Sequence, residues 1–323
     1  MARLQAPKSP LDLIDFEKQG GLVPVVVQDA STGKILMLGY ANREALRLTL
    51  ETGYAHFYSR SRRRLWMKGE TSGNRVKVLR VDYDCDSDTV LYLAVPEGPV
   101  CHTGKYSCFH NTLHDSTLEE MWNLIVDAFR QARVVERPGE AGLDKYLYIV
   151  NPLTDNIPPP SPLLQSLIAE YLASKAGEGL DKVVSPEVLG LPIASLVAQK
   201  LGLPLAIVRE RPFPAEGWVE PFQSGYKKGT HYVYGVSSGE KVVLVDDAVS
   251  TGGAAASIIE ALRRNGVRVE AVMASIAKPQ YGGVERLESM GLPVYRAVDV
   301  YIEEDRIRLV QPEAGWTVDL PRG

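Results

Sequence analysis

The chain has 323 residues, of which 45% are hydrophobic and 24% are charged, and its formal net charge is −4. These values are typical of a globular protein with about two domains, each long enough to bury a core. The acidic balance argues against a general nucleic-acid-binding protein, and no stretch approaches the ~20 apolar residues of a membrane span. Residues 1–21 contain no apolar run of signal-peptide length, so we expect a soluble, cytoplasmic protein with reduced thiols.

Strand patterns dominate the first third of the chain. A short helix is expected at Leu11–Lys18, and a longer one begins at its Asn42 cap and ends at Gly53. Candidate strands are Val23–Gln28, Ile35–Gly39, 55–59, 76–81 and 89–95, and residues 59–73 read as a long basic loop. This order predicts an α+β domain.

All three cysteines of the chain, Cys85, Cys101 and Cys108, fall within 24 residues, beside a run of alternating acids. In an extended segment, a period of two places the acids Asp84, Asp86 and Asp88 on one face and Cys85 on the other. Carboxylates suit Mg²⁺ and thiolates suit Zn²⁺. Three thiolates without a fourth protein ligand leave a zinc position open to water. The alternatives are a solvated acidic turn and inert core thiols.

A basic run precedes this segment. Alone it would indicate a solvated face. Because it is mixed with glycines, hydroxyl groups and a tryptophan, it also suits a phosphate-binding site in which arginines make bidentate contacts. The candidate binding residues are Arg60, Arg62, Trp66, Lys68, Thr71, Ser72 and Gly73.

Residues 20–112 closely resemble phosphoribosyl-AMP cyclohydrolase of histidine biosynthesis. The resemblance is carried by residues 25–74, by DCDSD at 84–88 and by GPVCHTGKYSCF at 98–109. It implies that the three acids bind Mg²⁺ and that the three cysteines bind Zn²⁺ in a site shared across a homodimer. The implied reaction is hydrolytic opening of the adenine ring of phosphoribosyl-AMP between N1 and C6.

In that reaction a zinc-activated water would attack C6, and His102 would either carry the proton or act as a structural histidine. The substrate carries two phosphate groups, which the arginines of the basic run would bind. One departure from the family is Val76, which stands where a glutamine often contacts the substrate.

From Ser116 onward the pattern changes. Residues 117–137 predict an amphipathic helix, Tyr146–Val150 predicts a strand, and the Pro-rich residues 151–162 read at first as an interdomain linker. Helix and strand patterns then alternate to residue 290, which predicts an α/β domain with a parallel sheet.

The segment 241–266 carries the chemistry of this half. A buried strand leads to the acid pair Asp246–Asp247, followed by a Ser-Thr-Gly-Gly loop and a helix. The loop and the helix N-terminus suit a phosphate, and adjacent acids suit a ribose diol. The segment has neither G-x-G-x-x-G nor a Walker loop, and the alternative to a phosphate site is an ordinary strand–turn–helix crossover.

This segment resembles the PRPP loop of type I phosphoribosyltransferases. A longer resemblance, over about 134–302, is to purine enzymes of archaeal hypoxanthine/guanine type, through motifs at 146–158, 183–194 and 231–253. It makes the Pro-rich stretch part of this domain's hood, so we expect domains at 1–115 and 116–323. The implied reaction joins a purine N9 to C1′ of PRPP and releases pyrophosphate.

Carried over residue by residue, the resemblance implies that Asp246 and Asp247 hold the ribose hydroxyls and that Pro186–Gly190 binds pyrophosphate. The 5′-phosphate site would be Ser250, Thr251, Gly252, Gly253 and the backbone of Ala254. Arg209 and Arg211 would bracket a mobile loop, and Lys278 either donates to a purine 6-oxo group or is a surface lysine. The departures are Glu210, Ala254 and Ser250, where a lysine, a threonine and sometimes a carboxylate are expected.

We therefore expect a bifunctional enzyme. The main alternative keeps the cyclohydrolase and makes the second half a PRPP-sensing module without turnover. A zinc deaminase is disfavoured because its H-x-E and P-C-x-x-C signature is missing. The sequence does not identify the purine base, an assembly beyond a dimer, channelling between the sites or a feedback ligand.

Overall fold

The computed structural model describes residues 9–138, 145–214, 217–223, 228–303 and 305–322. The chain divides into two compact units, Met1–His114 and Asp115–Gly323. Each unit has hydrophobic clusters of its own. Among the described residues, no helix has the length and apolar character needed to cross a membrane.

The first unit is rich in strands. Its elements are β1 (Val23–Asp29), β2 (Ile35–Ala41), α1 (Arg43–Thr52), β3 (His56–Ser59), β4 (Arg64–Met67), β5 (Val76–Tyr83) and β6 (Val90–Pro96). A four-stranded sheet has the order β2-β1-β6-β5, and β3 and β4 form a separate antiparallel pair. In the sheet, β1 and β6 are parallel and the outer pairs are antiparallel.

Local sequence accounts for most of these elements. Val23, Val25 and Val27 of β1 are fully buried while the residues between them are only half-buried, as a period of two predicts. The Asn42 side chain accepts a hydrogen bond from the Ala45 N–H at 2.8 Å, and Gly53 ends α1 in the left-handed region at φ 72°.

Two expectations for this unit are wrong. The segment expected to form a helix at Leu11–Lys18 forms two short 3₁₀ turns, Pro10–Leu13 and Glu17–Gln19. Asp15 separates them, because its carboxylate accepts the N–H groups of Glu17 and Lys18. The basic segment expected to be a loop contains β4, which returns antiparallel along β3.

The second unit alternates strands and helices. Its elements are α2 (Thr117–Phe129), β7 (Arg133–Pro138), β8 (Lys145–Val150), α3 (Pro152–Asp155), α4 (Pro162–Ser174), β9 (Lys182–Pro186), α5 (Leu191–Leu201), β10 (Leu205–Arg209), β11 (Gly217–Gln223), β12 (Lys228–Tyr234), β13 (Lys241–Val249), α6 (Gly253–Arg264), β14 (Arg268–Ala277), α7 (Gly283–Ser289), β15 (Val294–Ile302), β16 (Arg306–Val310) and β17 (Thr317–Pro321).

The main sheet of this unit has the expected parallel core and is mixed as a whole, because antiparallel strands extend it. Within the described ranges, nine strands follow the order β11-β12-β10-β9-β13-β14-β15-β16-β17. The strands from β10 to β15 in this order are parallel, as helix crossovers require, and antiparallel strands extend both edges.

Helices cover both faces of this sheet. Val243 and Val245 of β13 belong to the cluster formed with α2, α4 and α5, whereas Val242 and Leu244 belong to the cluster formed with α6 and α7. Successive residues of one buried strand therefore face opposite layers, which explains its unbroken apolar run. The Pro-rich stretch contributes α3, which packs against β13 and β14.

Candidate functional sites

The acids of the first unit lie in and beside the turn between β5 and β6. Asp84, Asp86 and Asp88 each direct one oxygen to a common point, with all three oxygens within 4.8 Å of one another. No other cluster of three His, Cys, Asp or Glu side chains converges in this way in the described part of the chain. Burial opposes ionisation of Asp84, but the N–H groups of Thr89 and Asp88 outweigh it and lower the pKa of its carboxyl.

A cation already lies at this point. The Lys18 Nζ is 2.9 Å from Asp86 Oδ2 and 3.6 Å from Asp88 Oδ2. The hydrogen bond to Asp86 raises the pKa of Lys18. The arrangement stabilises positive charge with hard oxygen atoms, which fits the chemistry of Mg²⁺.

Two of the three cysteines lie side by side. A hydrogen bond with the Thr103 hydroxyl, at 3.1 Å, lowers the pKa of the buried Cys101 thiol. Burial raises the pKa of Cys108, and the charge of Cys101 adds to this effect. Cys85 is exposed on the acidic turn and does not join them, so one chain brings together two thiols rather than three.

A cleft of about 700 Å³ opens beside Cys108, one of these two thiols. Cys108 and His102 line it together with six of the predicted binding residues, which are Arg60, Arg62, Trp66, Lys68, Thr71 and Ser72. The seventh, Gly73, is not part of the lining and instead ends the 69–73 turn at φ 79°. The cleft therefore combines positive charge, hydroxyl groups, an aromatic ring and a thiol.

Sequence reasoning missed part of the cleft wall. Tyr40 and Tyr58 line the cleft, and the Arg60 guanidinium lies 3.7 Å from the centre of the Tyr40 ring. The β3–β4 hairpin brings Tyr58 beside Trp66 and Lys68 of the basic segment. The three consecutive large residues Leu65, Trp66 and Met67 after the arginines were the available signal for β4.

The acid pair of the second unit lies within a strand rather than after it. β13 continues to Val249, so Asp246 and Asp247 are half-buried strand residues. Burial and the neighbouring carboxylate raise the pKa of Asp246 well above its usual range. Burial also raises the pKa of Asp247. Such a pair needs a partner that supplies positive charge or hydrogen bonds.

Glycines bring the loop that follows this pair into close contact with the start of α7. A Cβ added at Gly252, where φ is +67°, would lie 2.9 Å from the Gly283 oxygen, and one at Gly283 would lie 2.0 Å from the Ser250 oxygen. The loop Ser250–Gly252 thus packs against the start of α7, while α6 begins at Gly253. The predicted phosphate residues therefore lie at the N-terminus of a 12-residue helix, which is a suitable place for an anion.

The predicted pyrophosphate loop lies on the other side of Asp246. A Cβ at Gly190 would lie 2.5 Å from Asp246 Oδ1, so only glycine allows this approach. Glu187 of the same loop accepts the Glu210 N–H at 2.7 Å and lies 3.7 Å from Arg209. Arg211 is exposed just beyond, and part of the loop that it was expected to bracket lies outside the described residues.

Lys278 is not a surface residue, so that alternative is wrong. Its exposed fraction is 8%, and its Nζ lies 5.1 Å from the centre of the Tyr148 ring. Its positive charge opposes the rise in the pKa of Asp247, so the ammonium acts directly on the acid pair.

Known proteins resemble each unit. A family model for phosphoribosyl-AMP cyclohydrolase matches residues 37–110, and one for a phosphoribosyl transferase domain matches residues 160–291. The phosphoribosyl-AMP cyclohydrolase of Nitrosopumilus maritimus is 58% identical over 103 residues, covering 32% of this chain and 95% of that protein. The histidine biosynthesis bifunctional protein HisIE of Thermus thermophilus is 46% identical over 146 residues, covering 42% of this chain and 68% of that protein.

The adenine phosphoribosyltransferase of Rhodothermus marinus superposes with a TM-score of 0.46 at 23% identity, over 55% of this chain and 99% of that one. The matches define a fusion of two phosphoribosyl-handling domains, as predicted. The chain belongs to the phosphoribosyl-AMP cyclohydrolase family of histidine biosynthesis, and its second unit carries a phosphoribosyl transferase domain.

Proposed function

We propose that the first unit hydrolyses phosphoribosyl-AMP with zinc and magnesium. The carrying observation is the cleft that gathers Arg60, Lys68 and Trp66 above Cys108, with His102 in the same wall. Zinc, when bound, lowers the pKa of a coordinated water and so supplies a nucleophile near neutral pH. The basic side chains bind the phosphates, Trp66 packs on the adenine, and His102 moves the proton that leaves the water towards N1 as the N1–C6 bond breaks.

The zinc ligands come from two copies of the chain in this proposal. Cys101 and Cys108 form one half of the site, and the exposed Cys85 of a second copy completes it. The acids beside Cys85 hold Mg²⁺, which brings that metal close to the substrate phosphates. The protein is therefore expected to work as a homodimer.

Mixing two inactive variants tests the shared site. Cys85→Ser and Cys101→Ser should each lose zinc and ring-opening activity, but a heterodimer of the two restores one complete site. We expect their mixture, after exchange of subunits, to regain up to about half of the wild-type zinc content and activity in each heterodimer. Each variant mixed with itself is the control, and a mixture that stays inactive and zinc-free would contradict the shared site.

For the second unit we propose PRPP-dependent transfer of a phosphoribosyl group to a purine. The carrying observation is the convergence of the acid pair, the helix N-terminus at Gly253 and the Gly190 loop around one point. The acids bind the ribose hydroxyls, directly or through Mg²⁺, and the loop of residues 250–254 binds the 5′-phosphate. The purine N9 forms a bond to C1′ as the C1′–oxygen bond to pyrophosphate breaks, and Lys278 donates to a 6-oxo group.

One observation favours a second candidate, a PRPP-sensing module without turnover. Glu210 lies next to the pyrophosphate loop through its hydrogen bond to Glu187, and an acid there repels pyrophosphate. Pyrophosphate release from PRPP with adenine, hypoxanthine, guanine or xanthine separates the two functions. Release with any base supports the transferase, whereas PRPP binding without release from any base supports the sensor.

A further inference from the structure

A buried carboxylate contacts the segment that carries the two paired thiols. Asp29 ends β1, its exposed fraction is 1%, and its Oδ1 accepts the Ser31 N–H at 2.8 Å. Its Oδ2 accepts hydrogen bonds from two hydroxyl groups, that of Thr32 at 2.8 Å and that of Tyr106. Burial opposes ionisation of Asp29, but these hydrogen bonds outweigh it and lower the pKa of the carboxyl. Asp29 is therefore an anionic acceptor at neutral pH.

Tyr106 belongs to the turn that carries the buried thiol. The Cys101 N–H donates to the Lys105 carbonyl at 3.0 Å, and the Val100 N–H donates to the Tyr106 carbonyl at 3.2 Å. The turn is thus closed by its own backbone, so that Cys101 and Tyr106 keep a fixed relation to each other. The Tyr106 hydroxyl then joins the whole turn to the end of β1 through Asp29.

The other thiol is fixed to the next strand. The Cys108 N–H donates to the Leu36 carbonyl at 2.8 Å, and the Ser107 hydroxyl donates to the Ile35 carbonyl at 2.7 Å, both at the start of β2. Asp29 also shapes the β1–β2 turn that leads to this point, because its carboxylate accepts two groups of that turn. The contacts that hold the two thiols therefore meet at one buried side chain.

Such an arrangement favours metal binding. A loop that becomes ordered only on binding loses part of the binding free energy to its own conformational entropy, whereas a loop ordered in advance does not. A hydrogen bond to a carboxylate is stronger than one between neutral groups, and this carboxylate is buried in the fold. One phenol can therefore order the turn that carries Cys101.

We propose that Asp29 and Tyr106 are positioning residues that hold the Cys101 and Cys108 thiols together before a thiophilic divalent cation binds. The inference rests on the proposed zinc site and adds that the metal-free chain already prepares its half of that site. Neither positioning residue needs to contact the metal, because each acts through the backbone of the segment that carries the thiols.

Substitutions in the full-length, reduced and chelator-treated chain test this role, with Co²⁺ as a spectroscopic probe of the thiol site. Tyr106→Phe removes only the hydroxyl group that reaches Asp29. Tyr54→Phe is the matched control, because the Tyr54 hydroxyl donates to the Glu97 carboxylate at 3.3 Å elsewhere in the same unit. The measurement is the affinity for Co²⁺, followed through the thiolate-to-cobalt charge-transfer absorption.

For Tyr106→Phe we expect Co²⁺ to bind about tenfold more weakly, because a hydrogen bond to a charged group is lost and the turn must be ordered on binding. The absorption at saturation should keep its wild-type intensity, since the same thiols bind the ion. Tyr54→Phe should change the affinity less than about twofold. An unchanged affinity in Tyr106→Phe, or an equal loss in Tyr54→Phe, would overturn the positioning role.

A double-variant cycle shows whether the two residues act as one. Asp29→Asn keeps the size of the side chain but leaves its donors one acceptor oxygen fewer. If Tyr106 acts through Asp29, the binding free energy lost in the double variant is smaller than the sum of the two single losses. Losses that add in full would show that the residues act independently, which contradicts the proposal.

A second measurement separates this inference from the proposed zinc site. If the wild type gives no thiolate-to-cobalt absorption, the zinc proposal fails. Metal-free chains carrying Cys85→Ser are then treated with phenylarsine oxide, which bridges two neighbouring thiols. Bridging of Cys101 and Cys108 that is at least about threefold slower with Tyr106→Phe supports the inference. Equal rates, or no bridging in either chain, overturn it.

Discussion

Lys18 and Asp86 are 68 residues apart in the chain, yet their side chains are 2.9 Å apart. The ammonium therefore lies where the proposed Mg²⁺ would interact with the same carboxylates. Two cations cannot share these oxygens closely, since like charges at short range repel. Lys18 would consequently compete with the proposed Mg²⁺, and it ties the segment around Glu17–Gln19 to the acidic turn.

Removing the competitor should tighten metal binding. We expect Lys18→Met to bind Mn²⁺, used as a probe for Mg²⁺, about two- to fivefold more tightly, because exposed ion pairs of this kind are weak. Titration followed by electron paramagnetic resonance measures the affinity directly. Lys34→Met, which removes one positive charge between β1 and β2, is the control, and an equal effect in both variants would argue against competition at Asp86 and Asp88.

The acid pair of the second unit lowers the stability of the protein without ligand. The folded-state pKa of Asp246 is raised above its ordinary value of 3.8. The folded protein therefore holds this proton more tightly than the unfolded chain, and the resulting stabilisation is full below the unfolded-state pKa. It is lost as pH rises from there through the raised folded-state pKa.

Neutralising Asp246 should remove this loss. We expect Asp246→Asn to raise the free energy of unfolding at pH 7 by about 1 kcal/mol or more, since one pKa unit corresponds to about 1.4 kcal/mol. The Asn oxygen can still accept the Asp247 N–H, which Asp246 accepts at 2.9 Å. Urea unfolding in a chelator measures the difference, which should vanish near pH 4. Asp127→Asn, on the exposed face of α2, should show no such gain, and a pH-independent gain in Asp246→Asn would contradict the assignment.

At the scale of elements, the Gly190 loop lies in close contact with the strand that carries the acid pair. An alanine there would place its Cβ 2.5 Å from Asp246 Oδ1 and 3.1 Å from Asp246 Cα. The Asp246 carboxylate must turn away, and the loop or the strand must also shift slightly, because Asp246 Cα belongs to the backbone. This contact couples the proposed pyrophosphate and ribose subsites.

We therefore expect Gly190→Ala to weaken PRPP binding at least tenfold and to cost about 1–3 kcal/mol of stability, as overpacked positions do. Calorimetric titration with PRPP and urea unfolding measure the two effects. Gly177→Ala is a matched control, because a Cβ there meets nothing within 4 Å. A variant at Gly190 that binds PRPP like the wild type would show that the loop adjusts freely.

Elements were predictable where one local signal dominates. The α1 caps and the period of β1 needed only neighbouring residues. Residues 117–137 were expected to form one helix, but α2 ends at Phe129 and β7 begins at Arg133, where the chain pairs with β8. β7 was missed because an antiparallel partner, rather than its own pattern, stabilises it.

At the scale of the whole molecule, two units with separate cores are joined at His114–Asp115. The predicted domain boundary at 115/116 stays a proposal, and its physical basis is that the cluster around Val25, Phe57 and Tyr92 contains only residues of the first unit. A domain that buries its own core can fold without its neighbour.

Expressing residues 1–115 alone tests this boundary. We expect the fragment to fold, to bind zinc and to open the adenine ring of phosphoribosyl-AMP with kcat within about twofold of the full chain. Near-ultraviolet circular dichroism and the zinc content per chain measure folding and metal binding. The full chain carrying Asp246→Asn, in which the proposed ribose site is altered, is the control for an effect of PRPP binding on the activity of the first unit. An insoluble or zinc-free fragment would show that the first unit depends on the second.

The sequence by itself determined which groups are available and how they are grouped locally. The thiols, the alternating acids, the basic segment and the acid pair with its glycine loop are all visible there, because each motif spans a few consecutive residues. The α+β and α/β classes also followed, since hydrophobic period is a local property.

Only the tertiary structure decided how distant groups meet. It buried Lys278 against Tyr148, set Lys18 on the acidic turn, separated Cys85 from the other thiols and extended the parallel sheet with antiparallel edges. These outcomes depend on packing between segments far apart in the chain. No local period or propensity carries that information, because the free energy of such contacts exists only once both segments are in place.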